Sequence, residues 1–252
     1  MFRDTAIFVV NLEDRADKWE TSSALLSSAG LTATRVLAVD GRGRTPESFP
    51  EYDADAAYKF FGRPMTGPEV GCYLSHMSVL DRFLESDARF ALVLEDDFEP
   101  AFEDSFAATA AVLEILRSKS ADFCDLVNLG NYPRRPRKCE FSVTAGGEDT
   151  LISRAGYFPL GAFSLIFTRP GARALRARFD RIIAPYDHAF RLWASETYGG
   201  LALSRPLFTY SAAPSDLSAG RKYKKDMHYV LAESRRQTLI RTRSLRHWLF
   251  GG

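Results

Sequence analysis

Short apolar runs alternate along the chain with longer stretches whose apolar residues recur at helical spacing. "AIFVVNL" (6–12) is compact and rich in β-branched residues, and reads as a buried strand. Asp14 is placed to cap a helix over about 15–29 that stops at Gly30. "TRVLAVD" (34–40) predicts a second strand, so the chain opens strand, helix, strand, as α/β sheets do. Residues 41–66 carry Pro46, Pro50, Gly62 and Pro64 and read as an irregular segment with a function or small helices of its own. Pro68 then opens a helix with an apolar stripe of Val70, Leu74, Met77, Phe83 and Leu84. "RFALVL" (89–94) predicts a third strand, 101–118 a helix, and "DLVNLG" (125–130) a fourth strand. The stretch 130–156 reads as polar and irregular. "LGAFSLIFT" (160–168) predicts a fifth strand, with a helix entered near Pro170. A further helix starts at Pro185, "LALSRPLFTYS" (201–211) is a strand or strand pair split at Pro206, and 226–249 is a basic helix. With no internal repeat or strong linker, these elements make one α/β domain with a core over about 5–220 and a basic C-terminal segment, 221–252.

Composition changes this picture little. At 252 residues, with 46% hydrophobic and 26% charged positions, the chain belongs with globular proteins and not with low-complexity or disordered ones. Charge changes it more. Residues 221–252 hold nine Lys/Arg and two acids, so a net +7 at the end faces −6 on the rest. That asymmetry points either to an anionic partner near the C-terminus or to a solvated helix face. Trp248, Leu249 and Phe250 among the arginines suit an anionic membrane surface. An acidic body without a nucleic-acid module argues against nucleic acid. Cys72, Cys124 and Cys139 are odd in number and lack metal-ligand spacing, which predicts free thiols and a reducing, cytoplasmic setting, with Cys72 a core residue. The N-terminal apolar run is too short for a signal peptide, and no run approaches the roughly 18 apolar residues of a transmembrane helix.

The chemistry is concentrated in "ALVLEDDFEP" (91–100), where a buried strand runs directly into Glu95, Asp96 and Asp97. Ligands in open α/β sheets bind beyond the carboxyl ends of strands. Alternation puts Glu95 and Asp97 on one side and Asp96 on the other. Two such charges about 4 Å apart repel by roughly 4 kcal/mol at an effective dielectric near 20. The cluster therefore needs water, a proton, a cation or a metal ion, and hard oxygen ligands suit magnesium or manganese. The plainer alternative is that the acids begin a loop and cap the following helix.

Five segments resemble glycosyltransferase family 25, the lipooligosaccharide-type galactosyltransferases: "IFVVNLEDRADKW", "GPEVGCYLSHMSVL", "ALVLEDDFEP", "GAFSLIFTRPGARAL" and "PYD". They occur in the family's order over residues 6 to about 217, most of the chain. The resemblance implies a GT-A-type, Rossmann-like single domain around a mostly parallel sheet. It implies inverting transfer of a hexose from UDP-galactose or UDP-glucose to a glycan or glycolipid hydroxyl, with Mn2+ or Mg2+. Asp97, with Glu95 or Asp96, would hold the metal against the donor diphosphate. Asp187 in "PYD" would be the base, unless it is a helix N-cap, with Glu196 and Asp216 as weaker candidates. Asn11, Arg15, Ser75 and His76 fall in segments that would line the nucleotide-sugar site. Three have a structural alternative: Arg15 an exposed helix residue, Ser75 a packing residue, His76 a core histidine. The family's usual acceptor implies work at the cytoplasmic face of a bacterial inner membrane. The sequence departs from the family at Ala16, where a second basic residue is common, and at 131–156, which has no counterpart. Two other classes compete: a glycoside hydrolase, which also needs two carboxylates, and a non-catalytic nucleotide-sugar-binding protein.

Overall fold

In the first strand, β1 (Thr5–Asn11), Ile7 and Val9 enter one buried cluster while Phe8 and Val10 enter another. Burial on both faces is what makes the run continuously apolar. β3 (Phe90–Glu95) repeats the pattern, with Leu92 and Leu94 on the Ile7 side and Ala91 and Val93 on the Phe8 side. This is a computed structural model that describes residues 2–131, 138–211 and 226–250. Helices α1 (Ala16–Ser28) and α4 (Ser105–Arg117) cover the Ile7 face of the sheet. Helices α3 (Gly67–Glu85), α5 (Arg169–Arg178) and α6 (Tyr186–Thr197) cover the Phe8 face.

The other strands are β2 (Thr34–Leu37), β5 (Leu126–Asn128), β6 (Lys138–Ala145), β7 (Glu148–Arg154), β8 (Ser164–Thr168) and β9 (Gly200–Leu203). Their order across the eight-stranded sheet is β2-β1-β3-β8-β5-β9-β7-β6. β1 runs parallel to β2 and β3, and β5 to β9, while the other four pairings are antiparallel. The fold is α/β, but the sheet is mixed, which corrects the expectation of a mostly parallel one. Two features cause this. β8 inserts against the direction of both neighbours, and β6–β7 is a hairpin at the edge.

That hairpin lies in the segment read from sequence as irregular. Its signal is the pair Gly146–Gly147, which forms a two-residue loop with φ of +56° and +76°. Left-handed angles at both central positions favour glycine and match the twist of the flanking strands. Val143, Ala145 and Ile152 turn inward beside it. Residues 41–66 do contain small helices, a 3-10 turn at Pro46–Ser48 and α2 (Ala54–Phe61). Asp14 does not cap α1: Arg15 takes the capping position, and Asp14 accepts from Arg42 at 2.8 Å. The split at Pro206 is real, with β9 on one side and β10 (Phe208–Tyr210) on the other. β10 pairs with β4 (Phe98–Pro100) in a two-stranded sheet.

α3 begins with a capping box, Thr66 Oγ1 accepting from the Glu69 amide while Glu69 accepts from the Thr66 amide. Gly67 and Gly71 let its first turns touch the 39–44 loop backbone to backbone. A Cβ on Gly71 would collide with the Val39 carbonyl oxygen, and one on Gly67 with carbonyls of Gly41 and Arg44. The last helix, α7 (Met227–Phe250), is pinned by buried Arg236, whose Nη1 donates to the carbonyls of Phe60 and Phe61 at 2.7 Å each. No helix among the described residues is long and apolar enough to cross a membrane. Asp216 and the basic residues Arg221, Lys222, Lys224 and Lys225 lie outside the described residues.

Candidate active site

The acidic turn is held by its backbone. The Glu95 amide donates to the Phe163 carbonyl at 3.0 Å, and the Asp97 carbonyl accepts from the Ser211 amide at 2.8 Å. The Asp96 carbonyl accepts from Ser22 Oγ of α1 at 2.8 Å. With the chain fixed, strand alternation decides where the carboxylates go. Glu95 lies on the α3 face, 3.1 Å from His76 Nε2. Asp96 turns toward α1, accepting from Asn11 Nδ2 at 2.6 Å and lying 3.7 Å from Lys18 Nζ. Asp97 returns to the Glu95 side, where its Oδ1 is buried with no hydrogen-bond partner. Burial, and then the charges of Glu95 and Asp96, push the Asp97 carboxyl up from 3.8 to about 6, against the opposing pull of Lys18.

Beyond the carboxyl ends of β1 and β3 lies a cleft with two lobes. The first, about 100 Å³, is bordered by Asn11, Lys18, Arg42, Ser75 and the three acids. The second, about 340 Å³, is bordered by Asp187, Tyr186, Phe163 and Tyr210. Cys72, Glu95 and Asp97 border both. Glu95 and Asp97 thus stand where two bound groups would meet.

The other sequence candidates separate into those that face the cleft and those already committed elsewhere. Asn11 borders the first lobe, yet its amide is engaged three ways: with Asp96, with the Arg15 carbonyl, and with Arg35 Nε. It braces the acidic turn. Ser75 Oγ donates to the Gly71 carbonyl and accepts from the Val39 amide, tying α3 to the loop after β2. His76 is 1% exposed and stacks on Tyr186 with centroids 4.5 Å apart. Arg15 pairs with Asp17 at 3.2 Å and borders neither lobe. Asp187 is the second residue of α6, after Pro185 at the cap position, so it is not the N-cap. Its carboxylate makes no hydrogen bond or ion pair among the described residues and faces the second lobe. Glu196, at the far end of α6, pairs with Arg178 and Arg243 and borders neither lobe.

Four residues of the site were not found by sequence reasoning: Lys18, Arg42, Arg35 and Cys72, which was read as a core residue and is instead partly exposed on the cleft. Lys18 and Arg42 supply the positive charge of the first lobe, and Arg35 orients Asn11. Lys18 lies in the first turn of α1, where its spacing looks like that of any surface lysine. Its partner Asp96 is far away in sequence, so no local pattern marks it.

Half-buried acids that Lys18 offsets only in part are what a divalent ion would relieve. Asp97, with its orphaned oxygen, and Glu95 beside it fit such an ion, with further positions left for ligand oxygens. Asp96 is committed to Asn11 and Lys18.

The model of a family described as glycosyltransferase family 25 (LPS biosynthesis protein) matches residues 4–146. The chain is 28% identical over 219 residues to a glycosyltransferase 25 family member of Drosophila melanogaster, covering 82% of this chain and 34% of that protein. It is 25% identical over 237 residues to procollagen galactosyltransferase 1 of Danio rerio, covering 89% and 37%. A human relative, inactive glycosyltransferase 25 family member 3, is 28% identical over 234 residues, covering 89% and 38%. The chain therefore spans little more than a third of the length of these curated relatives.

Proposed function

The chain belongs to glycosyltransferase family 25, and from that premise we propose that it moves a hexose, galactose or glucose, from a UDP-sugar to a hydroxyl of a glycan or glycolipid, inverting the anomeric carbon. The observation that carries this reading is the two-lobed cleft with Glu95 and Asp97 shared between its halves. The nucleotide diphosphate occupies the first lobe, where Lys18 and Arg42 offset its charge. The acceptor occupies the second, with its hydroxyl directed at Asp187. Asp187 takes the hydroxyl proton on a carboxylate oxygen as the hydroxyl attacks the face of the sugar opposite the leaving diphosphate. Asp97 and Glu95 would hold Mn2+ or Mg2+, which when bound would offset charge developing on the leaving diphosphate. Asn11 and Lys18 keep Asp96 turned away, so that Asp97 and Glu95 are presented together.

Family membership leaves the hydrolase alternative without support. The non-catalytic alternative keeps one observation in its favour, the human relative named as inactive. Turnover separates the two, because both bind a nucleotide sugar.

The outer face of α7 exposes Leu231, Leu245, Trp248 and Leu249 beside exposed Arg235, Arg241 and Arg246. This face suits peripheral contact with an anionic membrane carrying a lipid-linked acceptor, on its cytoplasmic side. Arg236 and Arg243 turn inward and take no part.

The test of the donor is thermal stability against UDP-, GDP- and CMP-linked sugars, each with and without manganese. A ligand at a hundredfold excess over Kd stabilises the fold by roughly 2.7 kcal/mol. A manganese-dependent rise with one UDP-sugar is the expected result. No rise with any donor, with acceptor analogues present, would overturn the reading.

A further inference from the structure

Cys72 and His76 stand one turn apart on α3, and the i, i+4 spacing puts thiol and imidazole on one face of the helix. That face meets the end of β3, where alternation delivers Glu95. Possible ligand atoms of Cys72, His76 and Glu95 all lie within 4.8 Å of one another. Among the described residues this is the group of three that draws so close, whereas Glu95, Asp96 and Asp97 do not. The imidazole is 1% exposed, its plane is set by the stack on Tyr186, and Nδ1 has no hydrogen-bond partner. A buried ring nitrogen without a partner is unusual and calls for an explanation. Cys72 and Glu95 both border the cleft, so a fourth coordination position would open toward bound ligands.

We infer that Cys72, His76 and Glu95 form a site for a borderline-soft divalent cation of the zinc class, held by three protein ligands with an open fourth position on the cleft. Sulfur, nitrogen and a single carboxylate suit zinc or cobalt, whereas manganese and magnesium prefer an all-oxygen shell. Binding releases the Cys72 thiol proton to solvent and leaves a thiolate on the ion. This ligand set is distinct from the hard-ion pair of Asp97 and Glu95, although the two share Glu95 and compete for it. The inference stands whether or not the chain transfers a sugar, because its test reads the metal alone.

The experiment is a titration of the whole chain, stripped of metal and kept reduced, with cobalt(II) under optical spectroscopy. A sulfur ligand produces a thiolate-to-cobalt charge-transfer band, which a carboxylate shell cannot give. The expected result is that band at one equivalent, bleached by zinc but not by an approximately hundredfold excess of manganese. Cys72→Ser loses the band. Glu95→Gln weakens cobalt binding at least about tenfold, as loss of a directly bonded ligand should exceed the known effects of its supporting shell. Cys124→Ser, Cys139→Ser and Asp97→Asn all keep the band, and circular dichroism confirms that each variant is folded. Absence of the band in the wild type, its survival in folded Cys72→Ser, or its loss in folded Asp97→Asn would overturn the assignment.

Discussion

Replacing Asp97 with Asn removes a carboxylate that the fold itself disfavours, so the variant should gain stability without metal while losing the manganese binding proposed for Asp97 and Glu95. The Asp97 carboxyl is raised from 3.8 to about 6, chiefly by burial and then by Glu95 and Asp96. Two units correspond to about 3 kcal/mol at 1.36 kcal/mol per unit, and partial access to water reduces this to about 1–2 kcal/mol. The sign follows from the direction of the shift. The folded chain holds this proton more tightly than the unfolded chain, so the group's contribution is fully present below about pH 3.8. It is lost as pH rises through about 6 and is constant above that. Asp97→Asn therefore exceeds the wild type by about 1–2 kcal/mol at pH 8 without metal, which is a rise in Tm of about 3–6 °C for a domain of this size. The two converge near pH 4. The assay is urea and thermal unfolding at pH 4 and pH 8 in a chelator, repeated at pH 8 with manganese. Manganese should stabilise the wild type and leave the variant unchanged. A variant that is no more stable than the wild type at pH 8, or a difference independent of pH, would show that the Asp97 carboxylate carries no such penalty in the fold.

Three further outcomes follow from the packing. Gly71→Ala drives a methyl into the Val39 carbonyl, which should cost about 1–3 kcal/mol by urea unfolding and weaken donor binding by displacing the loop that borders the first lobe. Arg236→Ala removes two hydrogen bonds to the carbonyls ending α2. It should destabilise by about 2–3 kcal/mol, with α7 becoming the first segment cut in limited proteolysis. Paired Trp248→Ala and Leu249→Ala changes should lower co-sedimentation with anionic vesicles at least about fivefold, while neutral vesicles bind neither form and added salt weakens the wild type. Equal binding to neutral and anionic vesicles would contradict the membrane role of α7.

Much of the sheet was legible because β1 and β3 are buried on both faces and read as unbroken apolar runs. The same alternation placed Glu95 and Asp97 together without any knowledge of α3. Strand direction was not legible. β8 is as buried as β3 but runs the opposite way, and a short buried strand carries no mark of which neighbour it will meet. The β6–β7 hairpin could have been found from Gly146–Gly147, since two glycines between alternating residues signal a tight turn. Polar positions on its exposed face masked the alternation. Within the site, acids adjacent in sequence were easy to find, whereas the cations and the thiol that answer them were not. Lys18 and Arg35 act through Asp96 and Asn11 across the sheet, and Cys72 gains meaning only when α3 is laid against the end of β3. Asp187 was separated from a capping role by Pro185, which takes the cap position one residue before α6 begins at Tyr186.

On the proposed reading, one cleft divides its work between a metal-and-donor half at Asp97 and a proton-accepting half at Asp187. The most direct test is calorimetric titration of the preferred UDP-sugar with manganese, alongside turnover, for the wild type, Asp97→Asn and Asp187→Asn. Asp97→Asn should lose donor binding, and Asp187→Asn should bind the donor as tightly as the wild type while transfer falls at least about 10²-fold. Retained manganese-dependent binding in Asp97→Asn, or undiminished transfer in Asp187→Asn, would contradict that reading.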